Sequence, residues 1–259
     1  QSEKQGYDIT FINTCFENRK MSYYEHCRYR NFEGVVIVCA NFDDPDVIEL
    51  MNSEIPVVTI DYVHHNCTAV TSNNIQGMED LVKYIYSQGH RKIAYIHGQE
   101  GSSVTRDRLA SFYRTIDELG LEIPDTYVRS ADYLETKGSA KQTKELLNLE
   151  DPPTCIIYPD DTSLIGGRNV IIEMGLRIPR DISVAGYDGT MISQLLYPKL
   201  TTIRQNTEMI GSEAATRLIG TIEKPRTTLV ERVVIEGSLV PGQSVGAVSY
   251  THLTLPTNS

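Results

Sequence analysis

Short apolar runs alternate with amphipathic segments along most of this chain. Runs of three to six mainly aliphatic residues predict buried strands at 35–40, 55–60, 92–96, 155–158, 182–185 and 233–235. Between them, apolar residues three or four positions apart predict helices around 47–51, 78–85, 109–119, 164–174 and 210–222. This regular alternation predicts an α/β protein whose parallel sheets carry helices on both faces.

One of the predicted strands ends in a carboxylate. The apolar run at 182–185 continues into Gly186, Tyr187 and Asp188. Ligands of open α/β sheets bind beyond the carboxyl ends of the strands. Asp188 is therefore a candidate binding residue.

Composition narrows the class of protein. The chain has 259 residues, enough for one large domain or two lobes, and a net charge of −10, which disfavours binding to nucleic acid by this segment alone. Its five cysteines form no Cys-x-x-Cys pair, which favours a reducing compartment over a disulfide framework or a zinc site. No apolar run has the length of a membrane span, and the start at Gln1 shows no signal-peptide pattern.

Several separate motifs resemble one family. They are Ser72-Asn73-Asn74 with Gly77, Gly89-His90-Arg91-Lys92-Ile93-Ala94, Arg106-Asp107-Arg108-Leu109 with Phe112, Pro159-Asp160-Asp161, the segment 178–188 and the segment 198–203. In wording and order they are similar to the effector-binding domain of the LacI/GalR family of bacterial transcription regulators. The resemblance runs from about Gly6 to Val240, although Ser111 stands where the family usually has glycine.

The resemblance implies two doubly wound parallel-sheet lobes of the periplasmic-binding-protein-like type I fold, with a ligand cleft between them. The first lobe would comprise residues 1–98 plus 206–226, and the second 99–205 plus 227–243. Residues 244–259 would form a tail, in which 249–259 resembles translated sequencing adapter. The DNA-binding headpiece and the first strand of the domain would lie outside this chain, and the second strand would lie near Ile9–Asn13.

The family's ligand-binding positions transfer to six residues, for which a sugar or similar polar metabolite is the expected ligand. Asp188 would accept two hydroxyls, Arg108 would donate a fork of hydrogen bonds, and Tyr133 would stack on the sugar. The remaining three are Asp160, Asn73 and Gln205.

Four of these candidates also have a purely structural interpretation. Asp188 and Asn73 suit helix caps or turns, and Arg108 could be a solvated helix charge. Tyr133 could be a packed surface aromatic. Asp161, which directly precedes Thr162, is predicted to be a better helix N-cap than Asp160.

The sequence does not predict catalysis. The histidines lack partners at metal-ligand spacing, and the glycine-rich stretch 98–103 is not followed by Gly-Lys-Ser/Thr. No nucleophile elbow is present. We therefore expect neither a metal nor a cofactor.

The favoured hypothesis is a cytoplasmic effector-binding and dimerisation domain of a LacI/GalR-type transcription regulator. It would bind a carbohydrate effector, form a homodimer, contact operator DNA only through the missing headpiece, and have no membrane partner. A sugar-binding protein of a transport system with the same fold is the alternative. The least favoured hypothesis is a hydrolase that uses Asp160 and Asp188 as paired carboxylates.

Overall fold

The computed structural model describes residues 5–12, 15–16 and 19–248, which fall into two compact units. Unit 1 comprises residues 1–73 and 206–236, and unit 2 comprises 74–205 and 237–259. The chain therefore passes from one unit to the other after Asn73, Gln205 and Glu236.

Unit 1 contains a four-stranded parallel sheet in the order β11-β5-β4-β3. Its elements are β1 (Cys15–Phe16), β2 (Arg19–Lys20), α1 (Tyr23–Arg30), β3 (Val35–Ile37), α2 (Pro45–Met51), β4 (Val57–Ile60), β5 (Thr68–Ser72), α8 (Thr207–Glu223) and β11 (Arg232–Ile235). Successive residues of β4 enter different cores: Val57 packs in the cluster that contains α1 and α2, and Val58 packs against α8. Helices thus cover both faces of the sheet.

Unit 2 contains a six-stranded sheet in the order β12-β10-β9-β8-β6-β7. Its elements are α3 (Asn74–Ser87), β6 (Ile93–His97), α4 (Ser103–Glu118), β7 (Val128–Ser130), α5 (Thr136–Leu147), β8 (Cys155–Ile157), α6 (Asp161–Glu173), β9 (Ser183–Asp188), α7 (Met191–Leu195), β10 (Thr201–Arg204) and β12 (Ser238–Val240). All its neighbouring strands are parallel except β12, which pairs antiparallel with β10.

Side chains of β6 alternate between two cores. Ile93 and Tyr95 pack with α3 and α4, whereas Ala94 and Ile96 pack with α5 and α6. Full burial on both faces explains why the strand was readable as a continuous apolar run. The predicted α/β class, with doubly wound parallel sheets, is confirmed.

The unit boundaries differ from the predicted lobes. The predicted first lobe extends to residue 98, but β6 lies between β8 and β7 in the sheet of unit 2. The predicted second lobe includes residues 227–236, but β11 pairs with β5 in unit 1. Strand pairing assigns a strand to its sheet, and the apolar pattern of a strand does not name its neighbour.

The prediction of a strand near Ile9–Asn13 is wrong for the residues that the structure describes. Residues 7–12 have no regular secondary structure, and Asn13 lies outside the described residues. Ile9 and Phe11 are exposed, so their apolar side chains do not pack as a buried strand would. The predicted adapter-like segment 249–259 also lies outside the described residues.

Candidate functional site

Polar side chains collect at the carboxyl ends of three neighbouring strands of unit 2. Asp188 is the last residue of β9, Gln205 follows β10, and Asp160 follows β8 by three positions. Because parallel strands end at the same edge of the sheet, these residues lie in the region where ligands of α/β sheets bind. The structure thus brings three of the six candidates to one edge.

Arg108 reaches this edge from α4 and is almost completely buried. Its side chain is 3% exposed, its Nε donates to Asn74 Oδ1 at 2.8 Å, and one terminal nitrogen donates to the carbonyl of Pro159 at 2.9 Å. A second terminal nitrogen lies 3.8 Å from Asp188 Oδ1. The guanidinium also stacks on Tyr187, 3.4 Å from the ring centroid.

The charge of Arg108 is retained despite this burial. Burial by itself lowers the pKa of the guanidinium, but Tyr187, Tyr133 and Asp188 outweigh it and raise the pKa above its ordinary value. A fixed buried cation therefore stands beside the Asp188 carboxylate. The interpretation of Arg108 as a solvated helix charge is wrong, because burial and four neighbouring groups hold it.

Asp188 occupies an unusual backbone conformation. Its φ is +93°, in the region that side-chain-bearing residues rarely adopt, and the strain costs on the order of 1–3 kcal/mol. Gln205 holds the residue twice: its side-chain nitrogen donates to Asp188 Oδ1 at 2.5 Å, and its backbone N–H donates to the Asp188 carbonyl at 3.1 Å. The carboxylate itself remains 26% exposed. Such strain at a held, accessible carboxylate is typical of functional sites.

Asp160 is the N-cap of α6, which corrects the prediction that Asp161 is the better cap. Its Oδ1 accepts the backbone N–H of Ser163 at 2.7 Å, and its Oδ2 accepts from the Ser163 hydroxyl and from the N–H of Leu134, both at 2.8 Å. A cap has to be the non-helical residue whose side chain reaches the third helical N–H. Asp161 already lies inside the helix.

Asp161 instead points away from the helix toward two neighbouring segments. Its Oδ1 accepts from the Thr202 hydroxyl at 2.8 Å, and its Oδ2 accepts the Thr190 N–H at 2.7 Å and the Thr190 hydroxyl at 3.0 Å. Burial raises the pKa of Asp161 to about 6, although these hydrogen bonds lower it and nearby Asp188 raises it further. Gly186 on β9 leaves room for this carboxylate, because a Cβ there would overlap Asp161 Oδ1.

Tyr133 is half-buried and lies in the loop after β7. Its hydroxyl is 2.9 Å from the Thr105 hydroxyl, and its ring is 5.9 Å from the Arg108 guanidinium. A Cβ at Gly98 would overlap the Tyr133 ring, so only a residue without a side chain lets the ring come this close to the backbone at position 98. Burial raises the pKa of the Tyr133 hydroxyl, with Arg108 and the Thr105 bond acting in the opposite direction.

Asn73 belongs to unit 1 and is described with it. Its side-chain nitrogen donates to Glu236 Oε1 at 2.8 Å, and its backbone N–H donates to the Ile235 carbonyl at 2.8 Å. The next residue, Asn74, is in unit 2 and accepts from Arg108. The motif Ser72-Asn73-Asn74 thus contributes one asparagine to each unit.

Three residues at this edge were missed as candidates from the sequence: Asn74, Asp161 and Tyr187. Each stands next to a predicted residue but contacts another part of the site, and for Asp161 the partners are Thr190 and Thr202. Tyr187 lies under the Arg108 guanidinium, and Asn74 orients it. The motifs contained all three, but nothing in the sequence distinguishes a ligand contact from the residue that supports it.

The arrangement suits recognition of a neutral polyhydroxy molecule. It offers an accessible carboxylate, an amide and a half-buried aromatic ring, with an arginine held rigidly behind them. Carboxylates and amides form directed hydrogen bonds to hydroxyls, and an aromatic ring packs on the C–H faces of a sugar.

No helix among the described residues has both the length and the apolarity needed to cross a membrane.

Comparison with known proteins places the chain in a family. Residues 82–245, more than half of the chain, match the family of periplasmic binding protein-like domains. The chain belongs to this family.

The relatives are regulators of transcription. The HTH-type transcriptional repressor PurR of Aliivibrio salmonicida (strain LFI1238) is 28% identical over 224 residues, which is 85% of this chain and 67% of the repressor. The predicted resemblance to LacI/GalR regulators is thereby confirmed, and the role of an effector-binding domain fits it. The chain spans about two thirds of that repressor's length.

Similar solved structures are also transcription regulators. A regulatory protein of the LacI family from Chloroflexus aggregans superposes with a TM-score of 0.74 at 27% identity, over 86% of this chain and 80% of that one. A complex of the transcriptional regulator CelR with cellobiose superposes with a TM-score of 0.76 at 25% identity, over 86% and 71%. One of these similar structures thus holds a disaccharide.

Proposed function

We propose that this chain is the effector-binding part of a transcription regulator, that its effector is a mono- or disaccharide, and that Asp188 contacts the sugar. The observation that carries the proposal is the strained, accessible Asp188 carboxylate, held by Gln205 and backed by buried Arg108. The similarity to a regulator in complex with cellobiose supports the ligand class. Tyr133 would stack on the sugar, and Gln205 and Arg108 would present Asp188 to it.

Asp160 and Asn73 remain candidates for ligand contact. Both oxygens of Asp160 already accept hydrogen bonds from the protein, three in all. A carboxylate so occupied is poorly suited to exchange protons with a substrate, which weighs against a paired-carboxylate hydrolase. We therefore propose binding without catalysis.

The partners follow from the same relationship. We propose a homodimer that acts in the cytoplasm and contacts operator DNA through a separate headpiece. Exposed Met191, Leu195 and Tyr197 in and beside α7 support a further protein contact, because clustered exposed apolar side chains mark interaction surfaces. The names of the relatives, which are repressors, favour the regulator over a transport protein.

Asp188→Asn is the sharpest test of ligand contact. Asparagine keeps the size and tolerates positive φ, so the change removes the charge without adding backbone strain. We expect sugar affinity to fall by about 1–3 kcal/mol, roughly fivefold to more than a hundredfold, because hydrogen bonds to a charged acceptor are lost. Calorimetry would use ribose, glucose and cellobiose, with adenine and glutamate as non-sugar comparisons.

Asp181→Asn is the matched control. Asp181 precedes the opposite end of β9 and pairs with Arg177 at 2.9 Å on the surface. Sugar affinity should be unchanged in this variant. Equal affinities of wild type and Asp188→Asn would exclude Asp188 as a contact, and tighter binding of adenine or glutamate than of any sugar would overturn the ligand class.

A further inference from the structure

Asp161 links three elements near the proposed ligand contact. It sits in the first turn of α6, accepts a hydrogen bond from Thr202 on β10, and accepts two from Thr190, which caps α7. Only Gly189 separates Thr190 from Asp188. The carboxylate therefore holds the far end of the turn that carries the proposed ligand contact.

That turn needs to be held. Asp188 and Gly189 both have positive φ, +93° and +66°, so two consecutive residues where β9 ends adopt a backbone conformation that side-chain-bearing residues rarely adopt. The Gly189 N–H donates to the Thr202 hydroxyl at 3.2 Å, and this hydroxyl in turn donates to Asp161. Strained conformations persist where surrounding bonds overdetermine them. Gln205 holds the turn at Asp188, and Asp161 holds it at Gly189 and Thr190.

We propose that Asp161 is a positioning residue: its ionised carboxylate fixes the Asp188–Thr190 turn and thereby sets the affinity of the site. Its role in ligand affinity rests on the proposed function, whereas its role in fixing the turn does not. Asp161 is fully buried and its two oxygens are engaged by Thr190 and Thr202, so it acts through the turn.

The strength of this anchor depends on the charge of Asp161. Hydrogen bonds to an ionised acceptor are roughly twice as strong as those between neutral groups. Because burial raises the pKa of Asp161 to about 6, the carboxylate is ionised at pH 7.5 and mostly protonated at pH 5. Protonation of Asp161 makes its carboxyl group a weaker acceptor for the two Thr190 hydrogen bonds. The turn is then held less firmly.

Other titrating groups near Asp161 have to be separated from it. They are Asp160 at the N-cap of α6, Arg168 and Glu173 on α6, Tyr187 and Asp188 on β9, Arg204 on β10, and the exposed Lys137, Lys141, Lys144 and Glu145 on α5. Helix α7 has no titratable side chain. Of these groups Asp188 raises the pKa of Asp161. An Asp161 variant is therefore needed to assign any pH dependence.

The test follows the Thr190 amide by ¹H–¹⁵N spectra and hydrogen exchange between pH 5 and 7.5, first without ligand. In wild type the Thr190 amide shift should titrate with a midpoint near 6, and its exchange, corrected for the intrinsic rate, should accelerate about tenfold at the acid end. In Asp161→Asn the titration should vanish and the fast exchange should be present at every pH. Glu173→Gln, at the exposed C-terminal end of the same helix, should behave as wild type.

Thr190→Val is the second variant, in case Asp161→Asn does not fold. It removes one hydrogen bond to Asp161 Oδ2 and keeps the backbone N–H. Since that bond lowers the pKa of Asp161, its loss should move the Thr190 amide midpoint to higher pH. A Thr190 amide that does not titrate in wild type, or a midpoint unmoved by this variant, would overturn the proposal.

Sugar affinity is the second readout. At pH 7.5, Asp161→Asn should bind the tightest-binding sugar of the panel about tenfold more weakly than wild type. Wild-type affinity should approach that of the variant as the pH falls to 5.5. Equal affinity of wild type and Asp161→Asn at pH 7.5 would overturn a role in positioning. If the Thr190 amide responds as expected but no sugar binds wild type, the anchor is supported and the proposed sugar effector is wrong.

Discussion

Strand β9 of unit 2 lies between β8 and β10, whereas β3 of unit 1 pairs only with β4 among the described residues. Residues 183–187 of β9 are buried, but in β3 only Ile37 is. The two sheets share one architecture, yet one strand is central and the other stands at an edge. A central strand is protected on both sides, and an edge strand opens more easily.

The two units also differ in where their charged side chains lie. In unit 2 the buried Arg108, the strained Asp188 and the hydrogen-bonded carboxylates of Asp160 and Asp161 lie at one edge of the sheet. In unit 1 the ion pair Arg28–Glu54, at 2.6 Å, is exposed on both sides. Rigid, well-packed surroundings let unit 2 hold buried charges in fixed positions, which is what ligand recognition requires.

Removing the buried arginine should have the largest effect. Arg108→Met removes the donor to Asn74 and to the Pro159 carbonyl and the buried cation beside Asp188, so the unfolding free energy should fall by about 3–5 kcal/mol. Arg28→Met in unit 1 removes a solvent-exposed pair and should leave the unfolding free energy nearly unchanged. Urea unfolding followed by circular dichroism measures both. Similar losses for the two variants would contradict the contrast between the units.

Matched isoleucine truncations give a smaller difference. Ile156 is fully buried on β8, between β6 and β9, whereas Ile37 lies on β3. Ile156→Ala should cost about 2–5 kcal/mol, and Ile37→Ala should lie at or below the lower end of that range, since an edge site relaxes around the lost volume. Thermal and urea unfolding would report the ranking. A larger loss for Ile37→Ala would reverse our view of which unit is better packed.

The sequence predicted the architecture better than the support of the site. Apolar runs predicted β4, β6, β8 and β9, because strands buried on both faces carry continuous apolar sequence. Gly89, Gly120 and Gly175 follow three of the predicted helices, and all three have the positive φ that commonly ends a helix. These features depend on local residue chemistry, which a sequence displays directly.

Features that depend on distant partners were harder to predict. Asp160 and Asp161 are adjacent acidic residues, and only the positions of Ser163, Thr190 and Thr202 determine which one caps the helix. Likewise, the burial of Arg108 depends on Asn74, more than thirty residues away. The sheet to which β6 or β11 belongs is set by pairing across the fold. The local sequence pattern predicts none of these long-range contacts.

Hydrogen exchange with and without the tightest-binding sugar tests the central claim, that the better-protected unit carries the recognition site at the end of β9. Without ligand, the amides of Val184 and Ala185 should exchange more slowly than those of Val35–Ile37. With the sugar, exchange should slow further at Gly186–Thr190, around Asp188. Equal protection of β3 and β9 without ligand, or binding that leaves Gly186–Thr190 unchanged, would contradict the account.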